Sequence, residues 1–242
     1  MDASNFFKTP EWYPALANKT FITTFVKLTP EAIQALADGI TESDDPESPV
    51  NTTIKDLKAA MADIRGYSFV FTDCCAPTDT ERFLNKNGSV FSAKSAWRIL
   101  ASSEKVRESA KKGEVEHICI RPFRHVNKTR EFRLFVHDGR LAAMSQYHLI
   151  RHFRRLEKIK DQYLLQAELF VHDIIWKLPV KDLVIDIYFT SDDKIMVFDL
   201  NKWGEPTNPL MLNTWNRDWS QSAGIVLMPP PISISGDVNI SF

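Results

Sequence analysis

The sequence predicts an α+β fold of two lobes around a cleft, with mostly antiparallel sheets, and three observations lead to it. Up to about residue 112, helical and strand-like stretches are mixed; from residue 115, short β-branched and aromatic runs follow one another. Adjacent runs there are joined by tight turn signals, Asp138-Gly139 and Ser191-Asp192-Asp193, so those neighbours should pair antiparallel. A length of 242 residues suits one large domain or two small lobes.

The first lobe is expected over residues 1–114. Thr20-Phe21-Ile22-Thr23-Thr24-Phe25-Val26 reads as a strand. Thr29 is placed to cap a helix with Pro30 at its first position, Glu31-Ala32-Ile33-Gln34-Ala35-Leu36-Ala37 as its body and Gly39 as its stop. Residues 41–53, acidic and rich in Pro and Ser, read as an exposed loop. A helix over about residues 54–65 follows, with Ile54, Leu57, Met61 and Ile64 on one face and Gly66 at its end. Residues 67–72 form a strand candidate, and helices are expected around 93–100 and from Glu104.

The second lobe is expected over residues 115–227. Strands are read at 115–121, 131–137 and 140–146, then a basic helix at about 159–176 with Leu164, Leu165, Leu169 and Ile174 or Ile175 inward. Strands at 183–189 and 194–201 close this lobe. Residues 228–242 read as an extended, Pro-rich tail that packs along the surface or trails.

Composition argues against several classes, though it leaves room for a local basic cleft that binds nucleic acid. Apolar residues make up 44% of the chain, and 30 Lys plus Arg against 31 Asp plus Glu leave a formal charge of -1. No global basic field favours nucleic acid or an anionic membrane. Cys74, Cys75 and Cys119 give neither a disulfide framework nor a zinc spacing, which fits a reducing cytosol, and no base signature accompanies Cys74-Cys75. The N-terminus lacks the basic and apolar regions of a secretory leader, and no apolar run approaches the about 18 residues of a membrane span. A cytoplasmic monomer is expected. Neither a P-loop GxxxxGK nor a GxGxxG pattern occurs.

Asp186 interrupts an apolar strand between Ile185 and Ile187. Asp199 and Asn201 lie two apart on the next strand, so they share a face, and the intervening turn brings Asp186 opposite them. A carboxylate in a buried strand is costly unless paired or metal-bound. Two carboxylates also repel, and a divalent cation removes both costs; hard oxygen ligands favour Mg²⁺ shared with substrate phosphates. The alternative is that both aspartates sit at strand ends and meet solvent or a nearby arginine. His137, His148 and His152 lack metal-site spacing with a carboxylate and read as surface or core histidines, and Arg151-His152-Phe153-Arg154-Arg155 as a solvated helix start.

Arg121 closes one strand and Arg133 sits inside another. A mid-strand guanidinium needs an anion: a phosphate held bidentately, or a structural ion pair with Glu131 of a neighbouring strand or one of the aspartates. Residues 118–123 have the character of a hinge strand whose backbone would hold an adenine edge, with Phe123 or an aliphatic residue against the ring. Ser145-Gln146 ends a strand that would reach the same cleft.

The pieces, in order, resemble the cell division cycle protein 123 (D123) family, an ATP-grasp-like group. They are Trp12-Tyr13-Pro14, Ala76-Pro77-x-Asp79, Ser102-Ser103, Ile120-Arg121-x-Phe123, Glu131-Phe132-Arg133-x-Phe135-Val136, Ser145-Gln146, Asp186-Ile187-Tyr188, Asp199-x-Asn201 and Pro209-Leu210 followed by Trp215. The resemblance covers about residues 11–219. It implies an ATP-grasp-like fold enclosing ATP, with Arg121, Glu131, Arg133 and Ser145 lining the nucleotide cleft and Asp186, Asp199 and Asn201 as metal ligands. Eukaryotic members are similar to assembly chaperones that bind the gamma subunit of translation initiation factor 2, which makes that subunit the implied partner. Related ATP-grasp proteins are ligases. An ATP-dependent ligase or a nucleotidyl- or phosphoryl-transferring enzyme, acting on a small molecule, peptide or RNA, is therefore the alternative function, and a degenerate fold kept for protein binding is a third.

The chain also departs from the family pattern. Phe71, within Val70-Phe71-Thr72-Asp73-Cys74, stands where the family has a lysine, and Ala101 stands where another is common. Lys86, Lys94 and Arg98 are candidates to compensate. The chain is shorter than typical eukaryotic members, which fits a bacterial or viral relative with a different client.

Overall fold

A computed structural model describes residues 5–231 and divides into two compact units between Val126 and Asn127. The first unit contains, in chain order, α1 (Thr9–Leu16), β1 (Thr24–Lys27), α2 (Pro30–Ala37), α3 (Pro49–Ala60), β2 (Ser68–Thr72), α4 (Glu81–Lys86), β3 (Ser89–Val90), α5 (Ala93–Ala101), α6 (Glu104–Lys111) and β4 (His117–Pro122). Its strands form one antiparallel sheet in the order β1-β4-β2-β3. Val26, Val70, Ile118 and Ile120 feed a core shared with Leu36, Leu57, Trp97 and Leu100 of the helices. Alternation turns Phe69, Phe71, Cys119 and Arg121 to the other face of the sheet.

Local chemistry accounts for the helix starts. Thr29 Oγ1 accepts from the Ala32 N–H at 3.2 Å, Pro30 fills the first helical position, and Gly39 takes the positive φ of 70° that ends α2. The exposed loop expected over 41–53 stops short of that span, because Ser48 Oγ accepts from the Asn51 N–H at 3.2 Å and α3 starts at Pro49. Val50 and Thr53 are buried in consequence. The acidic composition hides in Ser48-Pro49 the same start signal that Thr29-Pro30 displays openly. The helix expected to reach residue 65 ends at Ala60, and the first strand begins only at Thr24.

The second unit contains β5 (Glu131–His137), β6 (Arg140–Gln146), α7 (Arg154–Ile174), β7 (Leu183–Phe189), β8 (Ile195–Lys202) and β9 (Gly224–Val226). Its sheet runs β8-β7-β5-β6-β9, antiparallel except where β9 lies parallel to β6. Asp138 and Gly139 both take positive φ, 46° and 72°, as the tight β5–β6 hairpin requires. β4, grouped with the later strands by composition, pairs instead inside the first unit, where Ile118 and Ile120 complete that core.

The inward face of α7 differs from the expected one. Leu156, Tyr163, Ala167, Phe170, Val171 and Ile174 are buried, while Leu165 and Leu169 are 56% and 63% exposed. Tyr163 stacks on Phe189 at 3.9 Å and meets Phe132 edge-on at 5.7 Å. These rings bury more apolar area than leucine and take the core-facing positions. Past β9, Met228 donates its N–H to Gln146 Oε1 at 3.3 Å, and its carbonyl lies 2.9 Å from His152 Nδ1. Residues 232–242 of the expected tail lie outside the described residues. Among the described residues, no helix is long and apolar enough to cross a membrane.

Candidate functional site

The register of the second sheet sets Asp199 opposite Asp186, Asp186 opposite Arg133, and Arg133 opposite Ser145. Directly opposed residues in an antiparallel ladder project to the same face. Four polar side chains from β8, β7, β5 and β6 therefore cross the sheet in one row. Asn201, opposite Val184, and Glu131, two residues before Arg133, share that face. Phe132 and Ile187 alternate to the face packed on α7, which is apolar. Along the site face the row gives way to an apolar cluster of Phe135, Ala143, Val184 and Leu212, against which Trp203, Trp215 and Trp219 pack.

Arg133 and Asp186 form the centre of the row. Arg133 Nε donates to Asp186 Oδ1 at 2.7 Å and Nη2 to Oδ2 at 2.8 Å, a bidentate pair whose side chains are only 8% and 10% exposed. Arg133 Nη1 donates to the Asn208 carbonyl at 2.7 Å, and Asn201 Nδ2 donates to Asp186 Oδ2 at 3.1 Å. Of the three anions open to Arg133 from the sequence, a phosphate, Glu131 or an aspartate, its partner here is Asp186. Burial opposes the guanidinium charge, but the hydrogen bonds and charge of Asp186 outweigh it and hold the Arg133 pKa above its ordinary value. Tyr147 lies with its ring 5.3 Å from the Arg133 guanidinium carbon; the charge of Asp186, then burial, push its phenol up.

The remaining second-unit residues sit around this pair. Asp199 is partly exposed, and its Oδ1 accepts from the Leu200 N–H at 3.0 Å. Ser145 is fully buried; its Oγ donates to the Gln146 carbonyl at 3.0 Å and accepts from the Met211 N–H at 3.2 Å. Glu131 Oε2 lies 3.0 Å from His148 Nε2, whereas its buried Oε1 has no hydrogen-bond partner among the described residues. The donor chemistry of Asp186, Asp199 and Asn201 fits Mg²⁺: two carboxylates and an amide offer hard oxygens from adjoining strands. Among the described residues no group of three or more His, Cys, Asp or Glu converges, so a zinc-type donor set is not built there.

Arg121 and Phe123 belong to the first unit. Arg121 Nε donates to Thr23 Oγ1 at 2.9 Å, and its guanidinium carbon lies 4.7 Å from the centre of the Phe71 ring. Phe71 thus supports an arginine through its face. Phe123 donates its N–H to the Tyr67 carbonyl at 2.8 Å and meets His125 edge-on at 5.1 Å. Arg98 is paired with Glu42, and Lys86 and Lys94 are exposed. Sequence reasoning missed Tyr147 and Asn208 and did not connect His148 with Glu131; these contacts come from loops, whose path no periodicity announces.

Two mostly antiparallel sheets, one in each unit, with the polar row on one of them, define an α+β protein. The structure of C-terminally truncated Cdc123 from Schizosaccharomyces pombe matches with a TM-score of 0.77 over 92% of this chain and 95% of that chain, at 18% identity, a likeness of fold. The D123 family profile matches residues 41–221, and the chain belongs to that family. A CDC123-like protein of Acanthamoeba polyphaga mimivirus is 27% identical over 228 residues, covering 86% of this chain and 69% of the relative. A translation initiation factor eIF2 assembly protein of Vanderwaltozyma polyspora is 28% identical over 143 residues, covering 58% of this chain and 37% of the relative. Cell division cycle protein 123 of Candida glabrata is 33% identical over 102 residues, covering 41% of this chain and 28% of the relative, so the match spans about a third of each of these two yeast proteins.

Proposed function

We propose that this chain is an ATP- and Mg²⁺-binding assembly factor for translation initiation factor 2, acting as a monomer in the cytoplasm through the factor's gamma subunit. Family membership and the naming of relatives as eIF2 assembly proteins support the assembly role. The observation that carries the nucleotide role is the row Asp199-Asp186-Arg133-Ser145, with Asn201 beside it, on one face of a rigid sheet.

In this reading Asp186, Asp199 and Asn201 hold Mg²⁺, which supplies charge neutralisation at the nucleotide phosphates. Arg133 fixes the plane of the Asp186 carboxylate by its fork and adds positive charge beside it. Glu131 Oε1, buried and unpartnered, is an acceptor for a nucleotide hydroxyl or amine. Ser145 completes the row, Arg121 is assigned a nucleotide contact by the family resemblance, and Phe123 or an aliphatic residue by the hinge-strand character of residues 118–123. The alternative, an ATP-dependent ligase or transferase, would use the same residues and consume ATP with an acceptor present. A pull-down with the gamma subunit, ATP and Mg²⁺ tests the assembly role. Retention by wild type and its loss in Asp199→Ala are expected; a wild-type chain that ignores the subunit over a wide concentration range contradicts it.

A further inference from the structure

The turn after β2, in the first unit, brings two thiols together. Thr72 N–H donates to the Cys75 carbonyl at 2.9 Å, and the Cys75 N–H donates to Thr72 Oγ1 at 3.2 Å, closing the chain on itself. Asp73, fully buried at its side chain, accepts from the Glu116 N–H at 3.1 Å and the His117 N–H at 3.1 Å, which pins the turn to the strand beside it. Within this fixed frame both sulfurs close on one hydroxyl: Cys74 Sγ lies 3.5 Å and Cys75 Sγ 3.4 Å from Thr72 Oγ1. Cys74 is exposed and Cys75 partly so, which leaves the pair open to solutes.

A disulfide is a poor outcome for this pair. Adjacent residues across a trans peptide have Cα atoms about 3.8 Å apart, and the only cis bond among the described residues is Glu205-Pro206. Disulfides prefer Cα separations of about 4.4–6.8 Å, so a direct bond between neighbours is strained. A larger atom bridging the sulfurs relieves that strain and uses both soft donors at once. The neighbouring Cys74 thiol, with the Thr72 and Ser109 hydroxyls and the charge of Lys105 in support, outweighs burial and lowers Cys75 to about 6.

We propose that Cys74 and Cys75 form a chelating dithiol site for a trivalent arsenical, held through both sulfurs. With an organoarsenic oxide, two As–S bonds form, two S–H bonds break, the arsenic oxygen leaves as one water, and arsenic stays trivalent. Phenylarsine oxide is the probe, added to the reduced full chain and read by intact mass. One phenylarsenic group per chain is expected, retained against excess glutathione and removed by 2,3-dimercaptopropanol. Retention falls by at least an order of magnitude in Cys74→Ser and in Cys75→Ser, each checked by thermal melting, and persists in Cys119→Ala. Wild type stripped by glutathione as readily as the serine variants, or a pair that loses two hydrogens to a disulfide and takes no arsenical, overturns the proposal. Since Cys74 is exposed, its serine variant keeps the test informative even where Cys75→Ser folds poorly.

Discussion

Replacing Arg133 by methionine keeps most of the side-chain length and removes the charge. Asp186 is then left in a site only 10% exposed, with Asn201 Nδ2 still donating to it at 3.1 Å and Asp199 opposite it across the ladder. Breaking a buried ion pair by removing one partner costs about 3–5 kcal/mol, because the other charge stays buried. At a urea slope of about 2 kcal/mol/M this lowers the unfolding midpoint by about 1.5–2.5 M. Emission from Trp203, Trp215 and Trp219, which pack on the same face, reports the transition. Mg²⁺ should then act in place of the lost guanidinium: a cation held by the native state at a hundred times its Kd restores about 2.7 kcal/mol. The double variant Arg133→Met/Asp186→Leu removes both charges and is expected to return close to wild type, without a response to Mg²⁺. A loss below about 1 kcal/mol in Arg133→Met, within the range of an exposed pair, or no recovery with Mg²⁺, would refute the buried-pair reasoning and the metal role respectively.

Other expectations follow from single contacts. Ser48→Ala removes the cap of α3 and should cost about 0.5–2 kcal/mol; an unchanged melt would return Ser48 to an ordinary loop. Phe135→Ala empties a fully buried position stacked on Trp219 at 5.8 Å and edge-on to Trp215 at 5.6 Å, for a loss of about 3–5 kcal/mol with an altered tryptophan spectrum. A loss below about 1 kcal/mol there contradicts the packing. Because the Cys75 pKa is depressed to about 6, its thiolate persists at neutral pH and disappears as pH falls through that value. Iodoacetamide alkylation, followed with Cys75→Ser as the blank, should therefore rise with a midpoint near 6, and a midpoint of about 8.5, the ordinary thiol value, counts against it.

Much of the second sheet is readable from alternation and turns alone. The spacing of Asp186, Asp199 and Asn201 with a short turn between their strands already places them on one face, and the register has Asp186 directly opposite Asp199. The partner of Arg133 is not readable in the same way. Whether it meets Glu131, a phosphate or Asp186 depends on β5 lying beside β7, and strand order is a property of the whole sheet. β9 escapes because three residues carry too little periodicity, and its pairing with β6 is parallel and distant in sequence. Leu165 and Leu169 mislead because hydrophobic residue type does not by itself choose between two faces of a helix; the rings of Phe132 and Phe189 across the interface select Tyr163 instead. That Phe71 lies on a strand is readable in the sequence, but that its ring supports Arg121 requires the pairing of β2 with β4.

The metal end of the row is tested most directly by calorimetric titration of ATP into wild type and Asp199→Ala, each with Mg²⁺ and with the metal chelated. Binding by wild type that weakens about tenfold or more on chelation, a change of about 1.4 kcal/mol, and a matching loss in Asp199→Ala with Mg²⁺ present, are expected. Equal affinity with and without Mg²⁺, or an Asp199→Ala chain that binds as wild type does, would contradict the assignment of Asp186, Asp199 and Asn201 to the metal.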